Sequence, residues 1–297
     1  VAIIGAGPVG LAAAAQLLAR GIEPLVLEAG PQMGHAVRAW GHVRMFSPWA
    51  FNTDAAARAL LVAEGWTEPD PEAYPTGAEL VDLYLAPLAA TAALRDRIRT
   101  GFRVTGVARR DYGRLHNGEG RDGAPFVLHV QSGCGAGVIE ARGVIDCSGT
   151  WTAPNPAGSH GMPALGETQC VDRIATGIPD VAGAERGAYA GRTTLVVGAG
   201  HSAMNAVLDL VALARSVPGT RILWAFRRPL GAVNFGGGTR DGLSRRGDLG
   251  ARAQALVESG AVTALAPFVI DSIAEANGGL VIVGRQEGGP ERSRPTA

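Results

Sequence analysis

Val1-Ala2-Ile3-Ile4-Gly5-Ala6-Gly7-Pro8-Val9-Gly10 opens the chain and decides its fold. A short apolar, partly β-branched run ends in a G-x-G-x-x-G turn. Leu11 to Arg20, rich in Ala and Leu, reads as a helix stopped by Gly21, and Pro24 to Glu28 reads as a second strand. Strand, glycine turn, helix and strand in that order form a βαβ unit. Gly5 permits the tight turn. Gly7, with Pro8 and Val9 beside it, lets a pyrophosphate approach the backbone at the positive end of the helix, and Gly10 allows close helix–sheet packing. Glu28, with Ala29 next to it, closes the second strand about 20 residues on, where a carboxylate accepts hydrogen bonds from the ribose hydroxyls of an adenosine. An ordinary glycine-rich turn with a solvated Glu28 is the plainer alternative, and the ordered context argues against it.

The pattern occurs again in the second half. Thr193 to Val197 reads as a strand, Gly198-Ala199-Gly200-His201-Ser202-Ala203 as the turn, Met204 to Ala214 as a helix and Arg221 to Phe226 as the next strand. This copy is the G-x-G-x-x-A variant, and Arg227-Arg228 follow its second strand instead of an acid. A carboxylate there would repel a 2′-phosphate, whereas a guanidinium binds one bidentately. The pair therefore points to NADP rather than NAD; two solvated arginines are the other reading. His201 and Ser202 can donate to the pyrophosphate, or His201 is a cap or spacer.

The rest of the chain is arranged around these two units. Residues 31–52 are irregular and rich in His, Arg, Trp and Pro, which reads as a long loop over a site. A helical excursion follows over 54–93, its second half broken at Pro87, and the period shifts to two over 101–140, a β-meander. Val144 to Thr150 is an apolar strand running into a turn. Phe268-Val269-Ile270 and Leu280 to Val283, joined through Asn277-Gly278-Gly279, read as a hairpin. The expected fold class is α/β: two Rossmann-like dinucleotide-binding domains, each with a small β-meander. The first spans 1–155, a linker 156–192, and the second 193–297.

Composition narrows the function classes. The 297 residues are 46% hydrophobic, only 5% aromatic, and include 43 glycines, which suits tightly packed α/β layers. Lys+Arg and Asp+Glu balance at 27 each, so nothing asks for nucleic acid or a membrane surface as partner. No apolar run is long enough to span a bilayer. The cysteines, Cys134, Cys147 and Cys170, form no C-x-x-C pair, so no zinc site or redox dithiol is written locally, and a sparse, odd count fits a reducing cytoplasm. Cys147, inside a turn, reads as buried rather than reactive.

With two such turns, the chain resembles the superfamily of two-dinucleotide-binding-domain flavoproteins, which includes class B flavin monooxygenases and thioredoxin-reductase-like enzymes. The resemblance implies that FAD lies on the first turn, NADPH on the second, and that hydride passes from nicotinamide to flavin. Val144-Ile145-Asp146-Cys147-Ser148-Gly149-Thr150 resembles the family's "ATG" element, which adds Ser148 and Gly149 to the FAD site; Trp151 and Pro154 fit the monooxygenase-like branch. The loop from Gly34 to Asn52 falls where similar enzymes approach the isoalloxazine. Ser47 and Arg44 are its candidates, Arg44 as a cation that stabilises reduced flavin; a packed surface excursion is the alternative. Gly236 to Asp241 either closes over nicotinamide or is a flexible linker.

The departures matter as much. Lack of a C-x-x-C argues against a thioredoxin-type disulfide reductase, while Pro156 to Pro163 does not match the F-x-G-x-x-x-H monooxygenase fingerprint. The expected function is an FAD-dependent NAD(P)H oxidoreductase, monooxygenase-like, acting on a small-molecule substrate. An NADPH:acceptor reductase and a non-catalytic dinucleotide-binding protein are the alternatives. The superfamily's C-terminal return segment to the FAD domain is expected to be absent, with FAD held weakly as a result.

Overall fold

The structure, a computed structural model, describes residues 1–286 except Asn117 and Gly237, and not the side chains of Ala232 and Thr239. Residues 287–297, with the polar end of the chain, lie outside it. The chain divides into two compact units, Val1–Thr152 and Ala153–Ala297.

In the first unit, β1 (Ala2–Ile4) leads through the glycine turn into α1 (Pro8–Leu18), and β2 (Leu25–Glu28) follows. Short helices α2 (His35–Ala39), α3 (Trp49–Asn52), α4 (Ala55–Ala63), α5 (Gly77–Leu80) and α6 (Ala86–Ala90) come next, then β3 (Ile98–Thr100), the antiparallel strands β4 (Arg103–Arg109), β5 (Phe126–Ser132) and β6 (Gly135–Ala141), and β7 (Val144–Asp146). The strands order β3-β2-β1-β7, and all neighbours are parallel. Ile3 pairs with both Val26 and Ile145. Both faces of this sheet are covered, as its continuous apolar strands require. Leu11, Ala14 and Ala15 of α1 pack on one face with Leu61, Tyr84 and Leu88. On the other, Leu128 and Val130 of the β4-β5-β6 meander cover Ala2 and Leu27.

The helical excursion is ordered by local chemistry. Asp54 caps α4 by accepting from the N–H groups of Ala56 and Ala57, and a Thr76–Glu79 capping box starts α5. The chain does not break at Pro87 as expected. A π-helical turn, Val81–Leu85, joins α5 to α6, and the Ala86 N–H reaches back to the Val81 carbonyl. Proline cannot bond the Leu83 carbonyl four residues before it. The Trp66 indole Nε1 donates to that oxygen instead, at 2.8 Å.

In the second unit, α7 (Arg186–Tyr189) precedes β8 (Thr193–Val197), α8 (His201–Ser216), β9 (Arg221–Ala225), α9 (Ser244–Glu258), β10 (Thr263–Leu265), β11 (Phe268–Ala276) and β12 (Gly279–Gln286). The parallel sheet orders β10-β9-β8. Its core joins Met204, Val207 and Leu210 of α8 to Trp224, Phe226 and Phe235. Strands β11 and β12 pair through an Asn277-Gly278 turn with φ of 52° and 76°, the left-handed pair of a tight hairpin. This unit thus carries a two-stranded hairpin where a meander was expected.

Residues 156–192, read as a linker, are built into the second unit. The Glu167 carboxylate accepts from the N–H groups of Ala157, Gly158 and Ala164 at 2.8, 3.3 and 2.7 Å. Leu165 bridges to Ser272 of β11, and Ala164 and Cys170 are buried with Phe268, Ile270 and Ile282. Proline and glycine erase any period in this stretch, so its order comes from contact with the hairpin.

Candidate functional site: two dinucleotide turns

The first turn is built by close approach. Gly5 has φ +98°, and its N–H donates to the Leu27 carbonyl at 2.7 Å. A Cβ on Gly5 would lie 2.7 Å from the Cys147 carbonyl oxygen, and one on Gly10 would lie 1.9 Å from the Gly5 carbonyl oxygen. Around Gly7, in contrast, a Cβ would meet nothing within 4 Å. The middle glycine therefore faces open space at the N-terminus of α1, which no side chain caps and where Pro8 contributes no N–H. That opening, with first-turn N–H groups beside it, fits a pyrophosphate. Val9, two-thirds exposed, sits at its rim.

Glu28 is held by this turn. Its Oε2 accepts from the Ala6 N–H and its Oε1 from the Gly30 N–H, both at 2.7 Å. Each oxygen keeps a further lone pair, enough for the two hydroxyls of a ribose. Ala29 is exposed alongside. From the other flank, β7 brings Ser148 and Gly149 to the turn: the Ser148 Cα lies 3.2 Å from the Gly5 Cβ position, and Gly149 has φ +67°. Asp146 accepts from the Ser148 Oγ at 2.7 Å and its N–H at 3.0 Å. These two bonds hold the Asp146 carboxyl below its ordinary range. Burial, then the Asp146 charge, pushes the Cys147 thiol up. Among the described residues all three cysteines are free, Cys134 exposed and Cys170 buried.

Arg44 and Ser47 lie in a packed segment. Residues 41–50 run against 71–78, with Met45 N–H on the Pro75 carbonyl and Trp49 N–H on that of Ala73. Trp49 is buried, and Trp40 lies against Gly77. The Arg44 guanidinium donates to the Tyr74 carbonyl and pairs with Glu79 at 3.6 Å. Ser47 donates to the Asn52 Oδ1 at 2.7 Å, and Asn52 returns a bond to the Ser47 carbonyl. Ser47 is thus engaged within the segment, and Arg44 ties it to Tyr74 and Glu79.

The second turn repeats the first with different chemistry. Gly198 has φ +110°, and its N–H donates to the Ala225 carbonyl at 3.0 Å, as Gly5 does to Leu27. A Cβ on Gly198 or on Gly200 would meet nothing within 4 Å. Helix α8 starts at Gly200 without a side-chain cap, with His201, Ser202 and Ala203 as its first turn. By register, the position of Glu28 is taken by Phe226, which is buried, and Arg227 and Arg228 follow, both exposed. A 2′-phosphate at the end of β9 would face the Arg227-Arg228 pair where the first unit presents Glu28. The loop Gly236 to Asp241, whose Gly237 is outside the described residues, leans on α9. Arg246 Nε bonds the Asp241 carboxylate at 2.9 and 2.8 Å, and this pairing leads the effects that lower the Asp241 carboxyl.

These features match known proteins. A model of the pyridine nucleotide-disulphide oxidoreductases fits residues 2–221, which contain both turns. The chain belongs to the pyridine nucleotide-disulphide oxidoreductase family. It has the FAD/NAD(P)-binding fold, and FAD and NADP(H) are the cofactors of that class. Indole-3-pyruvate monooxygenase YUCCA1 of Oryza sativa subsp. japonica is 32% identical over 208 residues, 70% of this chain and 44% of that protein. The chain thus spans less than half of that relative's length. Bacillithiol disulfide reductase Bdr (YpdA) from Bacillus cereus superposes with a TM-score of 0.65 at 19% identity, over 99% of this chain and 74% of that one. Kutzneria sp. 744 ornithine N-hydroxylase superposes at 0.59 and 14% identity, over 100% and 78%. At such identities the likeness is one of fold. Among the described residues no group of three or more His, Cys, Asp or Glu could hold a metal, and no helix is long and apolar enough to cross a membrane.

Asp146, quoted in the sequence only as part of the Val144–Thr150 element, fastens Ser148, and Trp224, which no motif singles out, donates to the Gly198 carbonyl of the second turn. An acid two residues before a serine in a turn is a weak signal for the first. For the second there was none.

Proposed function

We propose that the chain acts in an FAD-dependent NADPH oxidoreductase of the monooxygenase-like kind. The first unit is its FAD-binding domain and the second its NADPH-binding domain. The observation that carries this reading is the contrast between the two turns: a carboxylate, Glu28, at one and a guanidinium pair, Arg227 and Arg228, at the other. One turn suits a bare adenosine ribose and the other a 2′-phosphorylated one.

FAD and NADPH, when bound, supply hydride chemistry. The chain's own residues bind and orient. Gly5, Gly7 and Gly10 admit a pyrophosphate to the first helix terminus, Glu28 accepts from its ribose, and Ser148 and Gly149 wall its flank. Gly198 and Gly200 do the same for the second pyrophosphate, with His201 and Ser202 as donors, and Arg227 and Arg228 recognise the 2′-phosphate. Arg44, tied to Tyr74 and Glu79, lies in the segment proposed to approach the flavin and contributes positive charge there. The final acceptors are oxygen and a small substrate, in keeping with the match to a plant monooxygenase.

A reductase that hands electrons to another acceptor is the second reading. Residues 156–163, where a monooxygenase fingerprint would lie, instead form the loop that Glu167 fastens beside β11. The deciding experiment adds NADPH anaerobically to the FAD-loaded protein, follows bleaching of the flavin bands, and then admits ¹⁸O₂ with candidate substrates. Bleaching with label in an organic product supports oxygenation, and bleaching with all label in peroxide supports the reductase. Absence of bleaching refutes both.

A further inference from the structure

The two turns differ in how the carbonyl of their first glycine is accommodated. In the first, the Gly5 carbonyl oxygen rests against Gly10, so close that a Cβ there would lie 1.9 Å away. The second turn has Ala203 at that position, and its methyl group forbids the same resting place. The Gly198 carbonyl is taken instead by the indole of Trp224, whose Nε1 donates to it at 2.7 Å. By strand register the equivalent of Trp224 in the first unit is Val26, which has no side-chain donor.

Trp224 is itself immobilised. It is fully buried, with ring centroids 4.6 Å from Phe226 and 5.9 Å from Phe235 in an edge-on arrangement. Phe235 is in turn held by α9, whose Gly250 lies under the Phe235 carbonyl: a Cβ on Gly250 would meet that oxygen at 1.8 Å. A trans peptide is planar, with C=O and N–H on opposite sides. An indole that fixes the Gly198 oxygen therefore also fixes the direction of the Ala199 N–H, in the turn whose glycines face open space.

We propose that Trp224 is a positioning residue for the second dinucleotide turn: its indole N–H takes the carbonyl that Ala203 displaces and thereby fixes the Gly198–Ala199 peptide, whose N–H is the equivalent of the Ala6 N–H that Glu28 binds in the first turn. The inference rests on the reading of that turn as an NADPH site. It makes Ala203 and Trp224 a matched pair, one creating the need that the other meets. Trp224→Phe keeps an aromatic ring but leaves the Gly198 carbonyl without its donor.

The test is calorimetric titration of NADP⁺ into the full chain and its Trp224→Phe, Ala203→Gly and double variants, with thermal unfolding alongside. Trp224→Phe weakens NADP⁺ binding about tenfold. Adding Ala203→Gly to it restores most of the loss, because the carbonyl regains the place it has in the first turn. Unchanged affinity in Trp224→Phe overturns the inference, and so does a loss that Ala203→Gly does not repair, which assigns Trp224 to packing alone. A wild-type chain that binds no NADP⁺ overturns the NADPH reading and the inference with it. Should Trp224→Phe not fold, indole N–H exchange in the wild type decides: one slowly exchanging indole, assigned to Trp224 and quickened by Ala203→Gly, supports the pairing, and fast exchange of the wild-type Trp224 indole refutes it.

Discussion

Gly10→Ala tests the first turn where its geometry is tightest. The new Cβ would lie 1.9 Å from the Gly5 carbonyl oxygen, about 1.5 Å short of the 3.4 Å at which ordinary van der Waals contact begins. That oxygen is backbone, so no side chain can swing away; α1 must lift from the turn or Gly5 must be pushed toward Cys147, which it already abuts. Overpacking of this kind costs about 1–3 kcal/mol. Replacing a helical glycine by alanine returns about 1 kcal/mol through propensity, leaving a net loss of up to about 2 kcal/mol. For a unit of this size the Tm falls by up to about 8 °C. The displacement occurs beside the pyrophosphate opening at Gly7, so FAD affinity falls by at least about tenfold, or about 1.4 kcal/mol. Thermal unfolding and fluorescence titration with FAD measure the two effects separately. Ala203→Gly, the mirror change in the other turn, is the control and leaves FAD affinity unchanged. A Gly10→Ala protein with wild-type Tm and wild-type FAD affinity would refute the argument that close approach between helix and turn builds the site.

Three other expectations follow from the two turns. Arg227→Gln with Arg228→Gln raises the KM for NADPH about 10–100-fold while leaving that for NADH within about twofold, since only the 2′-phosphate loses its charge-assisted bonds; equal effects on both nucleotides would count against the assignment. Asp146, its carboxyl held low by two bonds from Ser148, stabilises the flank of the first turn throughout the neutral range. Because its folded value lies below its unfolded one, that contribution is complete above the ordinary aspartate value of about 3.9 and is lost as pH falls through the lower folded value. The stability gap between wild type and Asp146→Asn should therefore stay constant from pH 8 to about pH 5 and close only in stronger acid; a gap that narrows near neutrality would contradict this. Iodoacetamide near pH 7 should label exposed Cys134 well before Cys147, whose thiol is kept protonated by burial, as mass spectrometry of timed digests would reveal.

What could be read from the chain alone was everything with a local period or a local turn requirement. The run Val1–Ile4, the glycines that follow and the acid at 28 are sufficient for a βαβ unit, because strand, turn and helix each have a short-range signal and the acid has a fixed distance to them. The same holds for the second copy, for the absence of its acid, and for the Asn277-Gly278 hairpin turn. Helix α9 carries no clear signal in the sequence because Gly247 and Gly250 interrupt its pattern; in the fold those glycines give the backbone at Gly238 and Phe235 room to pack, which no local rule foresees. Strands β3 and β10, at three residues each, are too short to show a period. Residues 156–192 read as a linker for want of periodicity, yet Glu167 and the β11 hairpin hold much of that stretch in place. The tertiary structure alone decided where Arg44 and Ser47 spend their hydrogen bonds, and that Trp224 meets Gly198. Those are contacts between segments brought together only when the sheet and its covering helices close, so their partners are set by packing and not by spacing along the chain.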